Sequence, residues 1–249
     1  MPLTGSLNLA TVDAGAPLMS STGTEQLELK GAEVLQLLYE IDESGITSLL
    51  PSALHPTIPP TISFVATKVA DSPFGGFTLA EARIGCRSAA RPRAMLLRAY
   101  CNNEDAAKAL RERWGYPVVG SHVRLQRNYD RISLVVEAAG DVVLDCSLMD
   151  PEPVGNNDIQ YIANLNMARI PRDGGAVTRL VQVDPEYLVQ KADRGQPRLD
   201  AFDAEAWLVE GAIPDYAISA SAATADVVLP QLRYLVDPAK GPLDSVERV

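Results

Sequence analysis

The run "YCNNEDAAKALRERWGYPVVG", Tyr100 to Gly120, contains the best-marked helix of the chain and ends on an abrupt change of chemistry. Asn102 or Asn103 can cap the helix, because a short polar side chain there accepts from one of the first free backbone N–H groups. Glu104 and Asp105 complement its positive end, and Arg111 and Arg113 sit near its negative end. Gly115 can take the left-handed conformation that closes a helix. Glu104 with Lys108, and Lys108 with Glu112, have the spacing of modest surface pairs. The exit then delivers Trp114, Tyr116 and Pro117, followed by two inert side chains, Val118 and Val119.

Around this helix the chain reads as strands. Glu33 to Tyr39 is an apolar, β-compatible run, and Ser44 is the expected cap of a short helix that Pro51 stops. "LHPTIPP", from Leu54, reads as a proline-stiffened connector. Thr61–Ala70, Ala80–Ser88 and Arg93–Cys101 have strand length and are separated by turn-rich links. "HVRLQRN", "RISLVVEAA", "DVVLDCSLM", "IQYIANLNMARI" and "AVTRLVQV" follow through short connections, which implies an antiparallel meander. In the last stretch, from Tyr216, Pro230 marks an edge or a bend. Many strands, one good helix and few long links predict a mainly β fold, a closed, mostly antiparallel β-barrel enclosing an apolar cavity, because closure removes exposed sheet edges. Residues 1–25 are small, polar and aperiodic and read as a flexible N-terminal arm. Residues 26–249 are expected to form a single domain.

The bulk numbers exclude several classes. The chain has 249 residues, 47% of them hydrophobic, with 22 Lys and Arg against 32 Asp and Glu, a formal charge of −10. A polyanion would be repelled, so no nucleic-acid partner is expected. No apolar run approaches the roughly 20 residues that span a bilayer, and "MPLTGSLNLATVDAG" lacks a signal-peptide pattern. A soluble, cytoplasmic protein is the expectation. Cys86, Cys101 and Cys146 are an odd set at wide spacings, read as reduced, buried small hydrophobes. His55 and His122 lie far apart, and no zinc, serine-hydrolase or P-loop motif occurs. No metal or cofactor is expected.

The spacing of Tyr100, Asn103, Glu104, Arg111, Glu112, Tyr116 and Pro117 resembles the acetoacetate decarboxylase family. "YEIDESGITSLLP" (Tyr39–Pro51), "GQPRLDAF" and "TADVVLPQLRYLV" resemble that family's first strand, its proline-ended helix and its closing strands. The resemblance runs from about Glu33 to Asp237. It implies a cone-shaped, mostly antiparallel barrel around a hydrophobic cavity, and a homo-oligomer. It also implies that two lysines follow the Tyr-Pro pair, one forming a Schiff base with a β-keto acid while the other depresses its pKa. Here Val118 and Val119 stand there, and a valine forms no iminium. The family's substrate-binding arginine corresponds to Ala32 and an acidic residue of the next strand to Val65, so three departures meet in one pocket.

Glu81, in "FTLAEARIG", resembles the family's pocket glutamate, and Tyr116 matches its family position. Buried in an apolar barrel, Glu81 would rise toward neutrality and serve as acid or base; its alternative is an exposed strand glutamate. Arg98, in an apolar strand, either binds a substrate anion or makes a structural ion pair. Gln160, Ile162, Asn164 and Asn166 share one side of a strand that either lines a polar pocket wall or faces solvent. Trp114 either packs the helix or stacks a ligand. Lys68 should point away from Val65 and cannot replace the missing amine. The expected activity is that of a small-molecule biosynthetic enzyme without a Schiff base, a cyclase, dehydratase or lyase acting on a polyketide-like or other hydrophobic enolisable substrate. Glu81, Tyr116 and Arg98 would be its catalytic groups, and Val65, Trp114, Val118, Val119, Gln160 and Asn164 would contact substrate. A β-keto acid decarboxylase or hydrolase using general acid/base catalysis, and a non-catalytic ligand-binding barrel, are the alternatives.

Overall fold

The computed structural model describes residues 3–42 and 45–249, so the expected cap Ser44 lies outside the described residues. The strands are β1 (Leu27–Ile41), β2 (Leu54–Pro56), β3 (Thr61–Val69), β4 (Phe77–Ser88), β5 (Arg91–Cys101), β6 (Val118–Gly120), β7 (His122–Arg127) and β8 (Arg131–Ala138). They continue as β9 (Asp141–Val154), β10 (Asn164–Arg172), β11 (Gly175–Val183), β12 (Glu186–Phe202), β13 (Pro214–Leu229), β14 (Tyr234–Val236) and β15 (Val246–Arg248). Among the described residues three α-helices accompany them, α1 (Leu9–Val12) before β1, α2 (Ile46–Leu49) and α3 (Glu104–Trp114), with a 3-10 turn at Asp13–Gly15.

All fifteen strands join one sheet in the order β15-β14-β11-β10-β5-β4-β3-β1-β13-β12-β9-β8-β7, with β2 on β4 and β6 on β5. Pairing is antiparallel except where β5 meets β10 and β6. The expected closed barrel is corrected here: the path is open, and among the described residues no ladder joins β7 to the other end. The reason lies in β5, which pairs with β10 over Ala94–Leu96 and with β6 over Ala99–Cys101. The path forks there instead of closing. Ser121 N–H reaches Cys101 O at 2.8 Å, and Asn102 Nδ2 donates to Val123 O at 3.2 Å, so single bonds stitch the start of β7 to the end of β5.

Both faces of the central strands are covered. One face of β3 and β4 contributes Phe64, Ala82 and Ile84 to a core with Leu35, Leu134 and Trp207. The other contributes Val65 and Leu79 to a second core with Trp114, Tyr116 and Val118. Strands buried on both faces read as nearly continuous apolar runs, and β4 is buried from Phe77 to Ile84. The cysteines are buried and unpaired. Burial pushes Cys86 up to about 12 and Cys101 up to about 11, and raises Cys146 as well.

The helix α3 forms as its sequence dictates. Asn103, not Asn102, caps it, accepting from Ala106 N–H at 3.1 Å. Asn102 instead accepts from Thr78 N–H at 2.7 Å. The spacing-based pairs with Lys108 are replaced by Arg111 Nη2 on Glu104 Oε1 at 2.5 Å. Gly115 closes the helix at φ 67°. Gly115→Ala is therefore expected to lose more than the roughly 1–2 kcal/mol of a left-handed alanine, because the new methyl would meet Ala168 Cβ at 2.7 Å. Urea denaturation measures it, and a loss under about 1 kcal/mol would mean that the helix can end in another way.

Residues 3–25, read above as an arm, run along the body. Gly5, Ser6 and Leu7 N–H groups bond to Leu54, Thr47 and Leu50 carbonyls, and Met19 N–H to Arg169 O. The strand expected over 159–170 begins at Asn164, and "LHPTIPP" contains the short β2. No helix among the described residues is long and apolar enough to cross a membrane.

Candidate active site

The site grows from alternation along β4. Glu81 and Arg83 are two residues apart, so they leave the same face of the strand. Both are almost completely buried, at 2% and 3% exposure. Arg83 Nη2 donates to Glu81 Oε2 at 2.5 Å and Arg83 Nε to Glu81 Oε1 at 3.2 Å, a two-point contact. A guanidinium in so dry a place needs a counter-charge. Burial by itself would lower the pKa of Arg83, but Glu81, with smaller contributions from Tyr187 and Tyr116, offsets this and holds it above its ordinary value.

Two more elements complete the cluster. At the start of β10, the fully buried Asn164 donates through Nδ2 to Glu81 Oε1 at 3.1 Å and to the Tyr116 hydroxyl at 3.4 Å. These contacts fix its amide orientation, since the reversed amide would set an oxygen against a carboxylate. Its Oδ1 has no hydrogen-bond donor among the described residues. The Tyr116 hydroxyl accepts from Asn164, so its own proton remains to be donated. Desolvation raises its pKa strongly, with Glu81 adding and Arg83 opposing, which keeps it a neutral donor. Tyr187, on β12, is raised by burial against the opposing pull of Arg83. Its ring stacks on Tyr161 at 4.2 Å between centroids. Glu81, Arg83, Tyr116 and Tyr187 border a cavity of about 20 Å³ with Leu79 and Leu229, room for about one water molecule.

Glu81, Tyr116 and Asn164 thus come together as sequence candidates. Val65 lies directly opposite Glu81 in register and Ala99 flanks Glu81 on the other side, with Val118 beyond it on β6. Val65 and Val118 are buried in the same core as Tyr116. Trp114 is fully buried in that core, its indole N–H donating to Pro230 O at 2.9 Å while Arg113 lies over its ring. Three candidates lie elsewhere. Val119 is 42% exposed. Gln160 is exposed and precedes β10. Arg98 pairs with Ala82 while Glu81 pairs with Ala99, so Arg98 leaves the opposite face of the sheet. His122 is exposed, and His55 Nδ1 lies 2.8 Å from Leu3 O.

The premise of a lone carboxyl in an apolar hollow is replaced by a buried ion pair. Sequence reasoning missed Arg83 and Tyr187. The i, i+2 spacing in "EAR" was a usable signal for Arg83, whereas Tyr187 arrives from a strand distant in sequence and carries none. Lys30, Lys108, Lys191 and Lys240 are exposed, and Lys68 Nζ pairs with Glu33 Oε1 at 2.9 Å. Among the described residues no group of three His, Cys, Asp or Glu side chains is placed to hold a metal ion.

Residues 15–238 match the family model described as acetoacetate decarboxylase. No curated protein sequence matches the chain significantly. Among solved structures, the acetoacetate decarboxylase of Legionella pneumophila subsp. pneumophila str. Philadelphia 1 is similar at TM-score 0.74 and 18% identity, covering 93% of this chain and 91% of that one. Another acetoacetate decarboxylase structure gives TM-score 0.75 and 20% identity over 86% of this chain and 91% of that one. The enduracididine biosynthesis enzyme MppR, in complex with pyruvate, gives TM-score 0.69 and 14% identity over 87% of this chain and 97% of that one.

Proposed function

Because the chain belongs to the acetoacetate decarboxylase family, we propose that it is a small-molecule biosynthetic enzyme working on that scaffold without a Schiff base. The observation that carries this reading is the buried Glu81–Arg83–Asn164–Tyr116 cluster, set in an apolar core while Lys30, Lys108, Lys191 and Lys240 are exposed and Lys68 is held by Glu33. Its chemistry suits enolisation of a hydrophobic carbonyl compound on the way to a cyclisation, dehydration or other lyase step. Glu81 takes the α-proton, and the Tyr116 hydroxyl and Arg83 hold the negative charge that develops on the carbonyl oxygen. Arg83, rather than Arg98, is the guanidinium on the face of Glu81. Val65 and Val118 shape the wall that lysine and acid chemistry would otherwise occupy.

Two adjustments must accompany binding. Glu81 already accepts three hydrogen bonds, so a substrate has to replace one Arg83 contact before the carboxylate is free. The cavity must also widen, and Tyr187, which lines it and stacks on Tyr161, is a side chain whose movement would do so. A cytoplasmic location, supported by the three unpaired cysteines, and assembly into a homo-oligomer, supported by the exposed Leu188, Tyr216 and Ile218 on β12 and β13, belong to the same proposal.

The completeness of the ion pair, in which Glu81 already accepts three hydrogen bonds, favours a second reading, the non-catalytic ligand-binding barrel; a decarboxylase or hydrolase acting by acid/base catalysis is the remaining alternative. α-Proton exchange in deuterated water, followed by NMR on a panel of ketones and 2-oxo acids that includes pyruvate, separates them. The enzyme is expected to exchange at least one of these, and Tyr116→Phe to slow that exchange by about 10²–10³-fold. A binding protein would show no exchange at all. Borohydride treatment with a β-keto acid is expected to leave the mass of the protein unchanged, and a trapped adduct would overturn the proposal.

A further inference from the structure

Beyond the Glu81 cavity, a larger hollow opens where β5 changes partners. β10 leaves β5 after Leu96 and β6 joins it at Ala99, so the edge at Leu97 and Arg98 has no strand partner on that side. A register shift between β4 and β5 at this point makes Leu97 the extra residue, and such a bulge re-aims the side chains that follow it. The N-terminal segment roofs the fork with Leu7 and Val12, and Leu97, Val119 and Leu208 complete the apolar walls. The groove has a volume of about 630 Å³, within the range that holds a small organic ligand.

Its polar features are few and distinct. Arg111 borders it, but its guanidinium is engaged by Glu104 Oε1 at 2.5 Å and Val118 O at 2.9 Å. Arg98 also lines the groove, half-buried; the Tyr100 hydroxyl is its hydrogen-bond partner, and among the described residues no ion pair joins it to a carboxylate, Glu210 on the groove wall included. A half-buried guanidinium that holds a neutral hydroxyl but no counter-ion is a receptor for an anion, and its fork matches a carboxylate at two points. The geometry points to a second ligand site, at the β5 fork, that takes an amphipathic carboxylate, its head on Arg98 and its aliphatic chain along Leu7, Val12, Leu97 and Leu208. Arg98 and Glu81 leave opposite faces of the sheet, so the two polar centres are distinct, although Val118 on β6 borders this groove as well.

Titration calorimetry with decanoate and with decanol tests the assignment. Decanoate is expected to bind saturably, and Arg98→Gln to weaken it at least tenfold while changing decanol by less than twofold. Val119→Glu, at the exposed rim, should weaken decanoate at least fivefold by charge repulsion and decides the matter if Arg98→Gln does not fold. Tyr116→Phe should leave decanoate affinity within twofold, whatever it does to α-proton exchange, which keeps the fates of the two proposals distinct. Absence of saturable decanoate binding, equal loss of both probes in Arg98→Gln, or indifference to Val119→Glu would each overturn the site.

Discussion

Replacing Arg83 with methionine is expected to cost about 3–5 kcal/mol of unfolding free energy, the range for breaking a buried ion pair by removing one partner. Glu81 would then keep a single donor, Asn164 Nδ2 at 3.1 Å, in a strand covered on both faces. Its second oxygen would lose the guanidinium that neutralises it, and an uncompensated buried charge is the costly arrangement for a carboxylate. The double variant Glu81→Leu/Arg83→Met removes both charges and should recover most of the loss, because apolar groups of similar size replace a well-made pair almost neutrally. Urea denaturation of the wild type, both single variants and the double variant gives the coupling directly. If Arg83→Met lost less than about 1 kcal/mol, the pair would not be the sealed, dry unit on which the proposed chemistry depends.

The second large effect is at Trp114. Its side chain is fully buried at the end of α3, and its indole N–H donates to Pro230 O at 2.9 Å. Trp114→Ala is expected to lose about 3–5 kcal/mol, from the missing apolar volume and from the cavity left behind. The Pro230 carbonyl would lose its donor at the same time, which adds to the cost. Trp114→Phe keeps most of the volume and should cost clearly less. Arg113→Ala, which removes the cation above the ring at 4.5 Å and an exposed hydrogen bond from Nη2 to Glu25 O at 3.0 Å, should stay near or below about 1 kcal/mol. Thermal and urea midpoints of the three variants check the order. An order in which Arg113→Ala exceeds Trp114→Ala would mean that the helix is held by its surface and not by its buried face.

These two sites show how unevenly the molecule can be read from its sequence. α3 was legible almost to the residue, because its signals are local: a capping asparagine, acids in the first turn, arginines in the last and a glycine whose left-handed backbone ends it. The strands were legible as a set, and β3, β4 and β5 fall close to the runs that named them. Closure of the sheet was not legible. It depends on which strand β5 pairs with at each of its two ends, and those partners are β10 and β6, far apart in the chain.

The site divides along the same line. Glu81 and Tyr116 were accessible through their resemblance to family positions, and Asn164 through alternation along a strand. What Glu81 is chemically was not accessible, since a buried glutamate alone and one held by Arg83 have the same sequence neighbourhood and opposite consequences. Arg98 and Glu81 looked like members of one pocket until the register showed them leaving opposite faces, and in a sheet one residue of register exchanges inside for outside.

By itself the sequence determined the mainly β class, the helix with its caps, the net negative charge and the two valines where the family resemblance implies lysines, because each of these is carried by residue type or by spacing within one segment. Only the tertiary structure decided that the sheet stays open at β5, that Glu81 is bound to Arg83 and that Arg98 faces a separate groove. Those outcomes depend on cross-strand register and on the burial of charge, which arise from pairing distant segments and are encoded in no single stretch of the chain.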